Sequence, residues 1–121
     1  MNLLQSVLMK KIEATIQKNK INLISDAITG VVGGFTVMEG NGRGSGKRQK
    51  IRAERGTKTI RAEYNKVAII STIVEDSIVE KVCKIIEDGA YTGENNDGII
   101  SITNVDNVFN IGTKKKDSEA L

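Results

Sequence analysis

The sequence predicts an α+β domain with the order βαββαβ, a four-stranded antiparallel sheet carrying two helices. Three observations lead there. Segments of two-residue and helical periodicity follow one another in that order. The most apolar run, 67–74, lies at mid-chain and reads as a central strand. A long, basic, glycine-containing segment separates it from the strand before. The 121 residues suffice for one domain with a modest core.

The first strand is expected over residues 10–17, with Ile12, Ala14 and Ile16 on one face. Residues 20–28 place Ile21, Ile24, Ala27 and Ile28 at helical spacing, and Gly30 is positioned to stop that helix. Residues 35–39 read as the second strand, followed by a flexible stretch over 40–47. Little apolar surface follows until Tyr64, and so long a polar insertion usually carries function.

After the strand 67–74, Asp76 or Ser77 is placed to cap a helix to Asp88, with Ile78, Val79, Val82, Ile85 and Ile86 inward and Gly89 as terminator. The turn 92–98 precedes a last strand, 99–103, and a polar tail from Asn104. This is the ferredoxin-like split arrangement. Two helices cover one face of such a sheet. Ile69, Ile73 and Ile100 are expected on the other face, and an oligomeric partner would cover it.

The net charge of +3 is too small to imply nucleic-acid binding, but its distribution is uneven: nine Lys/Arg and two acids fall between Arg43 and Lys66. With no histidine and one cysteine, imidazole chemistry, a cysteine zinc cluster and an internal disulfide are excluded. Cys83 falls in an amphipathic helical pattern and reads as a small core residue. The apolar start of the chain lacks a basic leader and a cleavage site and is too short to span a bilayer, so a cytoplasmic protein is expected. Residues 1–8 read as an N-terminal extension, with the patterned domain over 9–121.

Gly40–Arg48 is glycine-rich but fails the Walker pattern, because Asn41 stands where the first glycine is required and Arg48 follows Lys47. It could present backbone N–H groups to an anion or act as a hinge, and the two are compatible. The basic segment has three readings: a docking arm, a nucleic-acid arm or a solvated loop. Its shortage of aromatics disfavours nucleic acid. No nucleophile–base pair or metal cluster is visible, so an enzyme is not expected. Asp97 reads as a turn residue whose carboxylate caps local N–H groups.

Met9–Ala14, Phe35–Val37 with Gly42-Arg43-Gly44, and Asn65–Ile69 are collinear stretches that resemble, in turn, the first strand, the second strand with its exit, and the return strand of the nitrogen regulatory P-II family. Val79–Val82, then Thr92-Gly93 and Asp97-Gly98, resemble its second helix and B-loop, and Glu119-Ala120-Leu121 its close. The resemblance implies a homotrimer that binds an adenine nucleotide (ATP, ADP or AMP) in clefts between subunits. The nucleotide would set the shape of a T-loop, here about 44–64, which docks on a target such as a membrane transporter or an enzyme. It implies effector contacts at Gly42, Gly44, Lys66, Thr92, Gly93, Asp97 and Gly98, a B-loop at 92–98 and a C-terminal loop at 104–121. Partner docking is expected from Lys47, Arg48, Lys50, Arg52, Arg55, Lys58 and Arg61.

Departures from the family narrow the ligand chemistry. Ile99 stands where the family has a phosphate-binding lysine, and Asn110 and Gly112 where it has two arginines. Each such charge-assisted bond is worth about 1.5–3 kcal/mol, so ATP binding should weaken unless Lys114, Lys115 and Lys116 compensate. Asn96 replaces the glycine before Asp97-Gly98, Gly46 the glutamine that helps hold magnesium and 2-oxoglutarate, and Thr59 the modified tyrosine, whereas Lys66 is kept. Sensing of 2-oxoglutarate is expected to be altered or lost. The alternative is a trimer that binds polyanions or nucleic acid without a small-molecule switch.

Overall fold

The computed structural model describes residues 8–46, 48, 50–52, 59–94 and 96–121; of 51–52 and 59–61 it gives the backbone only. In chain order the elements are β1 (Met9–Gln17), α1 (Ile21–Ile28), β2 (Thr36–Gly42), β3 (Lys50–Arg52), β4 (Thr59–Arg61), β5 (Asn65–Glu75), α2 (Val79–Ala90) and β6 (Gly98–Val105). The main sheet runs β2-β5-β1-β6 with every pair antiparallel, so the apolar mid-chain run is an interior strand as expected.

Register explains the core. Ala14 pairs with Ile70 on one side and Ile100 on the other, and Ile12 with Thr72. Alternation therefore stacks Ile12, Ala14, Ile16, Ala68, Ile70 and Val74 on one face, where they meet Ile24 and Ile28 of α1 and Val79, Val82 and Ile86 of α2. Thr72 is the polar member of that face. Its buried hydroxyl donates to the Gly34 carbonyl at 2.6 Å, which satisfies both groups.

Several expectations are corrected. Ile100 lies on the helix side and packs against the core, because it pairs with Ala14; its neighbour Ile99, paired with Thr15, faces the helix-free side and is 72% exposed. Gly89 does not terminate α2, which runs on to Ala90. A Cβ at Gly89 would lie 2.6 Å from Cδ1 of the fully buried Ile24, so this glycine sets how closely α1 approaches α2. Gly30 does follow α1, in the left-handed region at φ +86°. Asp76 and Ser77 do not cap α2: they form a one-turn 3-10 segment, and no side-chain cap bond is made at either helical start.

Two segments are more regular than expected. β2 continues through Gly40, Asn41 and Gly42, because β5 starts at Asn65 and supplies partners that far. Within 44–64, Lys50–Arg52 pairs with Thr59–Arg61 as a two-stranded sheet, Ile51 opposite Ile60. The tail also folds back: Phe109 bridges Lys116, and Asp117–Ala120 form a 3-10 turn that buries Ala120. Cys83 is half-buried at the edge of the core, and burial, then the Glu87 charge, raises its thiol pKa.

Candidate functional site

The end of β1, the exit of β2, the start of β5 and the turn before β6 meet at one end of the sheet. They enclose an open cleft of about 970 Å³. Thr15 and Gln17 come from β1, Gly42 to Gly46 from the β2 exit, Asn65 and Val67 from β5, and residues 93–94 and 96–99 supply the far wall. The far wall comes close: a Cβ at Gly44 would sit 3.7 Å from the Asn96 Oδ1.

Backbone conformation shapes that wall. Gly93 and Gly98 hold φ of +83° and +119°, and Asn96 holds +70°. Asparagine tolerates the left-handed region better than most residues, so the replacement of glycine at 96 keeps the turn. At Gly98 a Cβ would run into the Thr15 carbonyl oxygen, so only glycine lets the turn pass over β1.

Asp97 fastens the turn. Its carboxylate accepts the Thr92 hydroxyl at 2.5 Å and the Thr92 and Gly93 N–H groups at 2.9 and 3.1 Å. These bonds, the Thr92 hydroxyl first, hold its pKa below the ordinary carboxylate value. Gln17 ties the turn to the sheet by donating Nε2 to the Asn96 carbonyl at 3.2 Å.

The cleft's charges are arranged by side. Arg43, Arg48 and Lys50 stand on the loop side, and Glu94 and Asp97 on the turn side. Arg43 donates Nε and a terminal nitrogen to the Glu63 carbonyl at 3.0 and 2.7 Å, and Arg48 reaches the same oxygen at 3.5 Å. The cleft can therefore offer cations from one wall and apolar surface from Val67 and Ile99.

Of the residues expected at the effector, Gly42, Gly44, Gly93, Asp97 and Gly98 lie on the cleft wall. Thr92 is outside the lining and fixes Asp97, and Lys66 sits on β5 opposite Asn41, also outside the lining. Among the docking-loop cations, Arg48 and Lys50 line the cleft, and Arg52 and Arg61 end the paired β3 and β4. Lys47, Arg55 and Lys58 lie outside the described residues.

Sequence reasoning missed Gln17, Arg43 and Asn65 as cleft residues. The Gly42-Arg43-Gly44 string pointed to Arg43; nothing local marked the other two. Asn110, where the family has an arginine, has another task here. Its Oδ1 accepts the Gly112 and Thr113 N–H groups, and its Nδ2 donates to the Ala120 carbonyl, closing the C-terminal loop. Lys116 lies over the Phe109 ring, 5.6 Å from its centre.

Comparison with known proteins agrees with this architecture. Residues 9–115 match the family described as nitrogen regulatory protein P-II. The P-II protein of Azospirillum brasilense is 38% identical over 116 residues, covering 93% of this chain and all of the relative. That of Porphyra purpurea is 40% identical with the same coverage. Among solved structures, GlnK of B. subtilis superposes with a TM-score of 0.73 at 24% identity, over 94% of this chain and 99% of GlnK. The B. subtilis GlnK–ATP complex gives the same score at 25% identity, over 94% of this chain and 98% of that one. The chain belongs to the nitrogen regulatory protein P-II family, whose members are regulatory signalling proteins.

Proposed function

We propose that this protein is a cytoplasmic, non-enzymatic homotrimeric regulator that takes an adenine nucleotide in the cleft between β1, β5 and the 92–98 turn. Occupancy then sets the basic loop 44–64, which docks on a target protein such as a membrane transporter or an enzyme. The observation that carries the reading is the cleft itself. One wall is cationic, and Val67 and Ile99 offer apolar surface to a base. The likeness to a GlnK solved with ATP supports the ligand class.

The trimer is supported by the helix-free face of the sheet. Met38, Ile69, Ile73 and Ile99 share it, and among the described residues no helix covers them. Met38 is 55% exposed and Ile99 72%. A second and third copy would remove that apolar surface from water.

Nucleotide selectivity follows from the missing cations. With Ile99, Asn110 and Gly112 at the family's phosphate positions, the phosphates fall to Arg43, Arg48 and Lys50. Sensing of 2-oxoglutarate is altered or lost, since Gly46 offers no side-chain ligand. A regulatory effect requires the nucleotide to bind one loop state more tightly than the other. Isothermal titration calorimetry of the purified protein with ATP, ADP and AMP tests the reading. A saturable heat with at least one of them is expected. No heat with any of the three, together with salt-sensitive retention on heparin, would replace it with a polyanion-binding trimer.

A further inference from the structure

Arg43 stands where the cleft meets the loop, and its contacts reach across the loop's base. It leaves β2 just after Gly42, while Glu63 and Tyr64 lie between β4 and the start of β5. Its Nε and one terminal nitrogen both donate to the Glu63 main-chain carbonyl, at 3.0 and 2.7 Å. The same terminal nitrogen lies 3.6 Å from the Glu63 carboxylate, and the guanidinium sits 5.2 Å from the centre of the Tyr64 ring. One side chain thus ties the outgoing leg of the loop to the returning leg by a forked bond, an ion pair and a ring contact. Arg48, from the outgoing leg, reaches the same carbonyl at 3.5 Å.

We propose that Arg43 is an anion-exchanged clasp: an anion in the cleft draws its guanidinium off the Glu63 carbonyl and so releases residues 62–64 from the outgoing leg. The inference rests on the cleft taking a phosphate-bearing ligand, as proposed above, and adds the residue through which occupancy reaches the loop.

Three points carry it. Arg43 lines the cleft, so the clasp and the ligand compete for one group. The acceptor it now holds is mainly a neutral peptide oxygen. A phosphate oxygen accepts from guanidinium through a charge-assisted, often bidentate bond roughly twice as strong. Finally, the Glu63 side chain is 75% exposed, so its carboxylate is a solvent-screened partner that adds little to hold Arg43 back. When Arg43 turns to the anion, the carbonyl of Glu63 keeps only the long Arg48 contact and Tyr64 loses its cation. The returning leg enters β5 at Asn65, opposite Gly42, so the change begins next to the sheet.

The test is hydrogen–deuterium exchange over peptides spanning 62–67, with calorimetry on the same samples, for wild type, R43Q and R43K. Arg43 is a half-exposed surface residue, so the variants are expected to fold, and circular dichroism checks this. Without ligand, R43Q should exchange about tenfold faster over 62–67, the factor equivalent to ~1.4 kcal/mol. Saturating ATP should raise wild-type exchange there towards the R43Q level and leave R43Q unchanged. R43K keeps the charge without the fork. It should still give a heat with ATP, yet exchange fast beforehand.

A wild-type protein that binds ATP with its usual heat while exchange over 62–67 stays constant would overturn the clasp. So would an unliganded R43Q indistinguishable from wild type. Absence of any heat in wild type overturns the exchange together with the ligand reading beneath it, and the calorimetric trace separates that failure from the others.

Discussion

Adding one methyl group at position 89 probes how the two helices share space. Gly89 lies in the last turn of α2, and a Cβ there would stand 2.6 Å from Ile24 Cδ1 and 3.9 Å from Leu23 Cδ2. Real contacts of this kind need more than 3 Å, so something must shift. Ile24 is fully buried, which leaves its terminal methyl no solvent to swing into.

Alanine is the better helix former by about 1 kcal/mol, less near a helix end. Overpacking a filled core costs about 1–3 kcal/mol. Gly89→Ala should therefore lose stability by about 1 kcal/mol, a fall of about 4 °C in Tm for a domain of this size. Ile24→Val removes the clashing Cδ1 and costs about 1 kcal/mol alone through the cavity it opens. In the double variant the added methyl fills that cavity. The pair should lie close to wild type, giving a favourable coupling of about 1–2 kcal/mol. Chemical denaturation of all four proteins at one concentration measures this. Additivity within about 0.5 kcal/mol, or a stabilised Gly89→Ala, would rule out the clash with Ile24.

Three further perturbations address other links. Thr72→Val keeps the shape but leaves the Gly34 carbonyl without its 2.6 Å donor in a buried place, so unfolding should show a loss of about 1–2 kcal/mol. Asp97→Asn should show a pH signature. The native pKa of Asp97 lies below its ordinary 3.8, so the carboxylate's contribution is full above that value and lost as pH falls through the native pKa. Wild type should exceed the variant by a constant margin from about pH 5 to 8 and converge with it below about pH 4; a gap that widens in acid would contradict the assignment. Ile99→Lys restores a cation beside the turn at a position 72% exposed on the cleft. ATP affinity by calorimetry should rise about tenfold, and the gain should shrink in added salt.

The fold was legible where periodicity was strong. The alternation of Ile12, Ala14 and Ile16 and the apolar run in β5 fixed two interior strands. Helical spacing around Ile24 and around Val82 and Ile86 placed both helices. The misreadings arose where a residue's meaning depends on something distant in sequence. Gly89 looked like a helix stop, but its cause is Ile24, in the other helix. Whether Ile99 or Ile100 faces the helices depends on pairing with β1, which a run of apolar residues conceals. β2 was ended too early because its glycines read as loop, whereas partners on β5 hold them extended.

The candidate site divides in the same way. Asp97 was readable as a turn residue because its partners, Thr92 and Gly93, are local. Gln17 was not, since its partner Asn96 lies 79 residues away. Asn110 appeared in sequence only as a lost cation, yet its side chain organises the loop that closes on Ala120.

Native mass spectrometry of the purified protein, before and after addition of ATP, tests the proposed trimer and the proposed nucleotide clefts in one spectrum. A species of three chains that gains up to three nucleotide masses is expected, with the smaller adducts filling as ATP rises. A monomer that takes up no nucleotide at concentrations saturating for other regulators would contradict it.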